Sequence, residues 1–253
     1  MKLLRTLRPP LVILCTIVTL GINALASTLP LNGLTTGEIS DRFPVLITPA
    51  GYVFAIWGVI YIGLIAYSIY QALPAQRTNP LFDRISWLYI LSAMANCVWI
   101  FLWHYLYIVA AVPVMILLFV SLLYINFELS TERTSPSRWQ NWTTHLPFDI
   151  YLGWISLAMA ANIAIALSSQ GFTGGNIPES WWASLILSII AIISAIMIYR
   201  RHNRTYGLVI VWSIFGILIQ YPSNTTLLIT GILAISIQTF FLSKSLIIQT
   251  YTQ

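Results

Sequence analysis

The chain has 253 residues, of which 58% are hydrophobic and only 8% charged, with a formal net charge of +5 and a mean hydropathy of +0.82. Soluble domains run at about half apolar and a quarter charged, so this composition excludes a soluble globular protein and leaves no room for a sizeable soluble domain. The basic excess, which in a soluble chain would point to nucleic acid, serves here to orient a membrane protein.

Runs near 20 apolar residues predict spans at about 9–27, 49–72, 85–104, 107–127, 147–168, 180–199, 206–221 and 225–243. The expectation is an all-α, polytopic helical bundle of about eight transmembrane helices. The first run follows Lys2, Arg5 and Arg8 and ends in Ala24-Leu25-Ala26, a sequence similar to a signal-peptide cleavage site. It exceeds the 7–15 residues of an ordinary signal h-region, so it is read as a retained helix. The loop from Ser27 to Ile47 carries Gly33, Gly37 and Pro44 with the acids Glu38 and Asp41; at that length it is either mobile or a lid. Pro49 falls in the first turn of the second span, where a missing N–H costs little. The stretch Glu128 to His145 is polar and reads as an ordinary connection with Trp139 and Trp142 at the interface. The seventh span is short and ends at Tyr221-Pro222-Ser223-Asn224, so the last pair reads alternatively as a re-entrant hairpin.

Charges check this count. With the N-terminus inside, one side collects Lys2, Arg5, Arg8, Arg77, Arg84, Arg133, Arg138, Arg200, Arg201, Arg204 and Lys244, and only Arg42 of the 12 basic residues falls outside. An even number of spans with both termini cytoplasmic satisfies the positive-inside rule, as for a multi-pass protein of a bacterial plasma (inner) membrane.

Three spans carry tryptophan in one helical frame: Phe54-x2-Trp57-x3-Tyr61, Asn96-x2-Trp99-x3-Trp103, and Tyr151-x2-Trp154-x3-Ala158-x3-Asn162. Steps of three and four keep each set on one helix face. Aromatic rings with an occasional amide, aimed at a common interior, would line a pocket for a large, flat, mostly apolar ligand. Packing is the competing reading, with Asn96 and Asn162 joining helices through hydrogen bonds of about 0.6–2 kcal/mol each. Trp87, Trp139, Trp142, Trp181 and Trp182 lie at or beyond span ends, where an aromatic belt is expected. Trp212 lies deeper, as Trp57, Trp99 and Trp154 do, and Trp103 is intermediate. Asp149, just after Pro147, reads as a capping-type acid at a helix N-terminus, with a ligand or proton site as the alternative. Cys15 and Cys97 define no disulfide or metal pattern. The three histidines lack metal-ligand spacing, and no phosphate loop or nucleophile elbow occurs.

These residues resemble the TspO/MBR family, the tryptophan-rich sensory proteins related to the mitochondrial translocator protein. Thr48-Pro49-Ala50-Gly51-Tyr52-Val53-Phe54 is similar to that family's second-helix Trp-x-Pro-Pro stretch, with Ala50 in place of the second proline and a shorter step to Trp57. Asn96-x2-Trp99 resembles its third-helix motif, and Tyr151-x2-Trp154-x3-Ala158-x3-Asn162 its fifth. The resemblance reaches about residue 168. It implies a five-helix core over 1–170, with 171–253 adding three helices of unknown role. It also implies a pocket beneath the first loop, lined by Trp57, Asn96, Trp99, Tyr151, Trp154 and Asn162, for porphyrins, sterol-like lipids or aromatic drugs. The expected function is intramembrane binding of such a ligand with a sensory, regulatory or transport role. Partners would be a porphyrin or lipid ligand, membrane lipids and a second copy in a homodimer, with no nucleic acid; no cofactor is required, and a tetrapyrrole would be the ligand. An enzyme is not expected, although family members are linked to light-dependent porphyrin breakdown. A secondary carrier and a structural or assembly factor are the alternative functions.

Overall fold

The computed structural model describes residues 2–28, 31–43, 45–132 and 136–251; Pro44 of the first loop and Arg133 of the charge count lie outside the described residues. Eight long helices follow the predicted spans: α1 (Lys2–Thr28), α2 (Ile56–Ala72), α3 (Pro80–His104), α4 (Ile108–Ser130), α5 (Leu146–Ser169), α6 (Glu179–Arg201), α7 (Arg204–Gln220) and α8 (Thr225–Tyr251). No strand occurs among the described residues. A membrane span must satisfy every backbone polar group within itself, and helices do so. Seven of the helical segments are long and apolar enough to cross a bilayer. The exception is α7, whose 17 residues extend about 25 Å, short of the roughly 30 Å hydrocarbon core.

The chain divides into two compact units, Met1–Ile39 with Ile56–Leu152, and Ser40–Ala55 with Gly153–Gln253. In the first unit α3 packs on α4 and on α1, and α1 packs on α2. The buried face of α1 runs Arg8, Val12, Thr16, Thr19, Asn23, Ala26, in the steps of three and four that define one side of a helix. Most of that face is polar, and each polar side chain makes at least one hydrogen bond, although Arg8 Nε itself has no partner among the described residues. Thr16 Oγ1 lies 2.5 Å from both Ser68 Oγ on α2 and Tyr89 OH on α3. Arg8, wholly buried, donates to Asp83 Oδ1 at 2.5 Å and to the Gln76 and Arg77 carbonyls, while Arg5 reaches the other Asp83 oxygen at 2.7 Å. Leu3, Ile13 and Ile17, by contrast, are exposed. Helix α1 thus turns a largely polar face to its neighbours and an apolar face outward, as helices joined by hydrogen bonds in lipid do.

The first loop is ordered where it meets α3. Thr35 and Glu38 form a capping box, the Glu38 carboxylate accepting from Thr35 N at 2.7 Å and Thr35 Oγ1 from Glu38 N, which starts the short helix Thr36–Asp41. His104 is fully buried; its Nδ1 lies 3.1 Å from the Leu31 carbonyl and its Nε2 3.1 Å from Thr36 Oγ1. A carbonyl only accepts, so Nδ1 carries the proton. Trp103 Nε1 donates to Thr36 O. Of the two expectations for this loop, a mobile segment or a lid, this half is strapped down.

In the second unit α6 packs on α8 and α7, and α7 on α8. Gln238 of α8 ties α6 twice, accepting from Ser194 Oγ at 2.9 Å and donating to the Ala191 carbonyl at 2.6 Å. His202, at φ 53°, ends α6 in the left-handed region, and the Asn203 side chain then caps α7 by accepting from Tyr206 N. The 3-10 turn Gly51–Ala55 rests on α7: Ala50 N donates to Gly216 O at 3.1 Å, and a side chain at Gly216 would run into Val53.

Four local expectations change. Pro49 does not open a helix: the backbone at Ala50 is committed to Gly216 O, so the chain makes a 3-10 turn first and α2 begins only at Ile56. The stretch 128–145 is not wholly a connection, because helical structure resumes at Arg138, capped by Ser137 Oγ accepting from Gln140 N, and continues through a π-turn, Asn141–His145, into α5. Asp149 therefore lies well inside that helical stretch instead of capping it, and accepts from Asn126 Nδ2 of α4 at 2.6 Å. Trp212 is 39% exposed, with its indole N–H 3.5 Å from Val53 O.

Candidate ligand-binding site

Six of the ten sequence-selected residues belong to the first unit. On α2, Trp57 stacks on Tyr61 with ring centroids 5.5 Å apart and planes 22° apart; Trp57 also meets Tyr151 of α5 edge-on at 5.8 Å. On α3, Trp99 stacks on Trp103 at 5.4 Å and 24°. Both indoles are buried, as are Asn96 and Tyr151. Helical spacing of four puts each stacked pair one above the other on its helix.

The polar edge of this group is defined by an asparagine that the aromatic pattern does not mark. Asn23 Nδ2 donates to the Thr19 carbonyl at 2.9 Å and to Asn96 Oδ1 at 2.7 Å. The backbone carbonyl fixes which end of the Asn23 amide is nitrogen, and that in turn fixes Asn96: its oxygen faces Asn23 and its nitrogen faces away. Asn96 Nδ2 and, one turn on, Trp99 Nε1 are buried with no hydrogen bond of ordinary geometry among the described residues. Asn96 and the Tyr151 phenol are side-chain hydrogen-bond neighbours. The first unit thus presents the Asn96 and Trp99 N–H groups beside stacked indole rings, with the Tyr151 phenol next to Asn96.

The other four residues belong to the second unit. Phe54 sits in the 3-10 turn and not in the helical frame of Trp57, which splits the first stripe. Its ring meets Trp154 edge-on at 5.4 Å. Along α5, Trp154 and Asn162 are buried and Ala158 half-buried. Neither end of the Asn162 amide has a hydrogen-bond partner among the described residues. An unsatisfied buried polar group costs about 1–3 kcal/mol, so Asn162 does not act as the interhelical link that packing alone would require, whereas Asn96 does join α3 to α1 through Asn23. Spacing did not reveal Asn23; the Thr16, Thr19, Asn23 periodicity within an apolar run was the available signal.

The second unit also holds a hollow of about 440 Å³ lined by Asp41, Thr48, Glu179 and Tyr221. Glu179 accepts from Leu46 N and Tyr221 OH donates to Val45 O. Burial, then the Glu179 and Asp41 carboxylates, push the Tyr221 phenol above its ordinary value. Among the described residues no group of three or more metal-ligating side chains gathers.

Helical spans of bilayer length, hydrogen bonds buried between helices and buried amides on aromatic faces define a multi-pass integral membrane protein. A family model described as TSPO-like protein matches residues 10–244, and the chain belongs to that family. The match runs through α6, α7 and α8, well past residue 168. No curated protein and no solved structure matches the chain.

Proposed function

We propose that this protein binds a large, flat, aromatic or lipid-like ligand within the membrane, of the tetrapyrrole or sterol-like class, and serves a sensory, regulatory or transport role without catalysing a reaction. The observation that carries the reading is the pair of buried donors, Asn96 Nδ2 and Trp99 Nε1, beside the Trp99–Trp103 and Trp57–Tyr61 stacks. Leaving the Trp99 N–H without a partner in a medium without water is costly, and a ligand oxygen would offset that cost. Stacked indoles fit a planar ring, and an edge carrying N–H donors fits an acceptor such as a porphyrin carboxylate or a sterol hydroxyl oxygen. The contacting group on the first unit is Trp57, Tyr61, Asn96, Trp99, Trp103 and Tyr151. Phe54, Trp154, Ala158 and Asn162 on the second unit carry the same chemistry. The charge pattern supports a bacterial inner-membrane protein with both termini in the cytoplasm.

Protoporphyrin titrated into the purified protein should quench tryptophan fluorescence saturably. Trp99→Phe, which keeps a ring and removes the N–H, should weaken binding about tenfold, in line with a lost buried hydrogen bond of about 1–1.5 kcal/mol. Asn162→Ala reports the second unit in the same assay. Binding unchanged by Trp99→Phe, Asn96→Leu and Asn162→Ala would overturn the reading.

A further inference from the structure

Away from the tryptophan helices, α6 and α8 enclose a groove of about 510 Å³ whose lining is almost wholly apolar. Its floor is Ala191, Ala195 and Ala234, buried and small, and its walls include the exposed Ile192, Ile196 and Leu233. On α6 the lining runs from Ser188 to Arg200, a rise of about 18 Å along the helix. That is close to one leaflet of hydrocarbon, half of roughly 30 Å.

One end of the groove is basic. Arg200 and Tyr199 close it, and a second hollow of about 310 Å³ shares Tyr199 and Phe241 and adds His202 and Lys244. Lys244 Nζ stands 5.6 Å from the centroid of the Tyr199 ring. Arg204 is engaged by Ser245, so Arg200 and Lys244 are the cations that line the hollows. No carboxylate occurs after Glu179 in the sequence, whereas Arg200, Arg201, Arg204 and Lys244 all do. Neither hollow is lined by a carboxylate that would pair with the ammonium of a zwitterionic headgroup.

We propose that this groove is a binding site for one anionic phospholipid, an acyl chain lying between α6 and α8 and the phosphate held by Arg200 and Lys244. The match is in length, in polarity along that length, and in the sign of charge at one end; basic pockets between transmembrane helices take anionic headgroups in this way. Small floor residues keep the helices' facing surfaces open enough for a chain.

Native mass spectrometry of the full-length protein, loaded with equal amounts of phosphatidylglycerol and phosphatidylcholine, tests this. The wild type should retain one phosphatidylglycerol in preference. Replacing Arg200→Gln and Lys244→Gln together should remove most of that preference, about fivefold for each basic side chain. Ala234→Phe should lower retention of both lipids by filling the floor, and soluble glycerol phosphate should not displace the lipid. Equal retention of the two lipids by the wild type, or a preference unchanged by the double substitution, would overturn the proposal. So would displacement by glycerol phosphate alone. Arg200 and Lys244 are exposed, so their exchange leaves the test intact even where Ala234→Phe disturbs assembly.

Discussion

Asn23 of α1 and Asn96 of α3 share a 2.7 Å hydrogen bond whose direction is set by a backbone carbonyl, because the same Asn23 nitrogen also donates to Thr19 O. The bond both joins two helices and points the Asn96 nitrogen away from α1. Asn23→Leu should therefore act twice. It should destabilise the protein by about 1–3 kcal/mol through an orphaned Asn96 oxygen. It should also weaken porphyrin binding, since the freed Asn96 amide gains a second orientation. Thermal unfolding and a porphyrin titration on the same preparation check both effects.

The Arg8–Asp83 pair should respond asymmetrically. Arg8 is fully buried and Asp83 partly exposed with a second partner in Arg5. Asp83→Asn strands a buried guanidinium and should cost about 3–5 kcal/mol. Arg8→Met leaves Asp83 its Arg5 partner and should cost less, while Arg5→Gln, at a surface pair, should cost no more than about 1 kcal/mol. Unfolding midpoints of the three variants should rank in that order.

His104→Phe removes both ring contacts that hold Leu31 and Thr36. The expected outcome is proteolytic cleavage in the first loop at protease concentrations that leave the wild type intact. A smaller fall in global stability should accompany it, since a loop opens locally before the core does.

Tyr221 gives a pH dependence of definite sign. Its phenol is raised in the folded protein by burial and by Glu179 and Asp41, so the unfolded chain loses that proton first as pH rises. Stability is then complete below about pH 10, the ordinary tyrosine value, and falls as pH climbs from there towards the folded value. Tyr221→Phe should lose about 0.5–1.5 kcal/mol at pH 8 with the hydrogen bond to Val45 O, yet show a flatter decline between pH 9 and 11. Unfolding midpoints across that range test it.

Helix positions were legible because apolar runs of bilayer length have one solution in lipid, and the three aromatic frames marked residues that are largely buried. What misled was the use of a local rule where a distant partner decided the matter. Pro49 looks like a helix start, but Ala50 is held by Gly216, more than 160 positions away. Asp149 looks like a cap because Pro147 precedes it; the helix had already begun at Arg138, under a Ser137 cap that polar loop composition concealed. The signal for Asn23 is the polar step Thr16, Thr19, Asn23 within an apolar run, which aromatic spacing does not pick out. His104 lacked a metal-binding pattern, and its clamp on Leu31 and Thr36 depends on a loop folding back, which spacing does not encode.

The central claim is that the Asn96 and Trp99 donors meet an acceptor on a flat ligand. The most direct measurement compares the affinity of protoporphyrin with that of its dimethyl ester, in the wild type and in Asn96→Leu, by fluorescence quenching. The account predicts that the wild type favours the free acid by about tenfold or more, as for a charge-assisted hydrogen bond of about 1.5–3 kcal/mol, and that Asn96→Leu largely erases the difference. An acid-to-ester ratio that is the same in both proteins would contradict it.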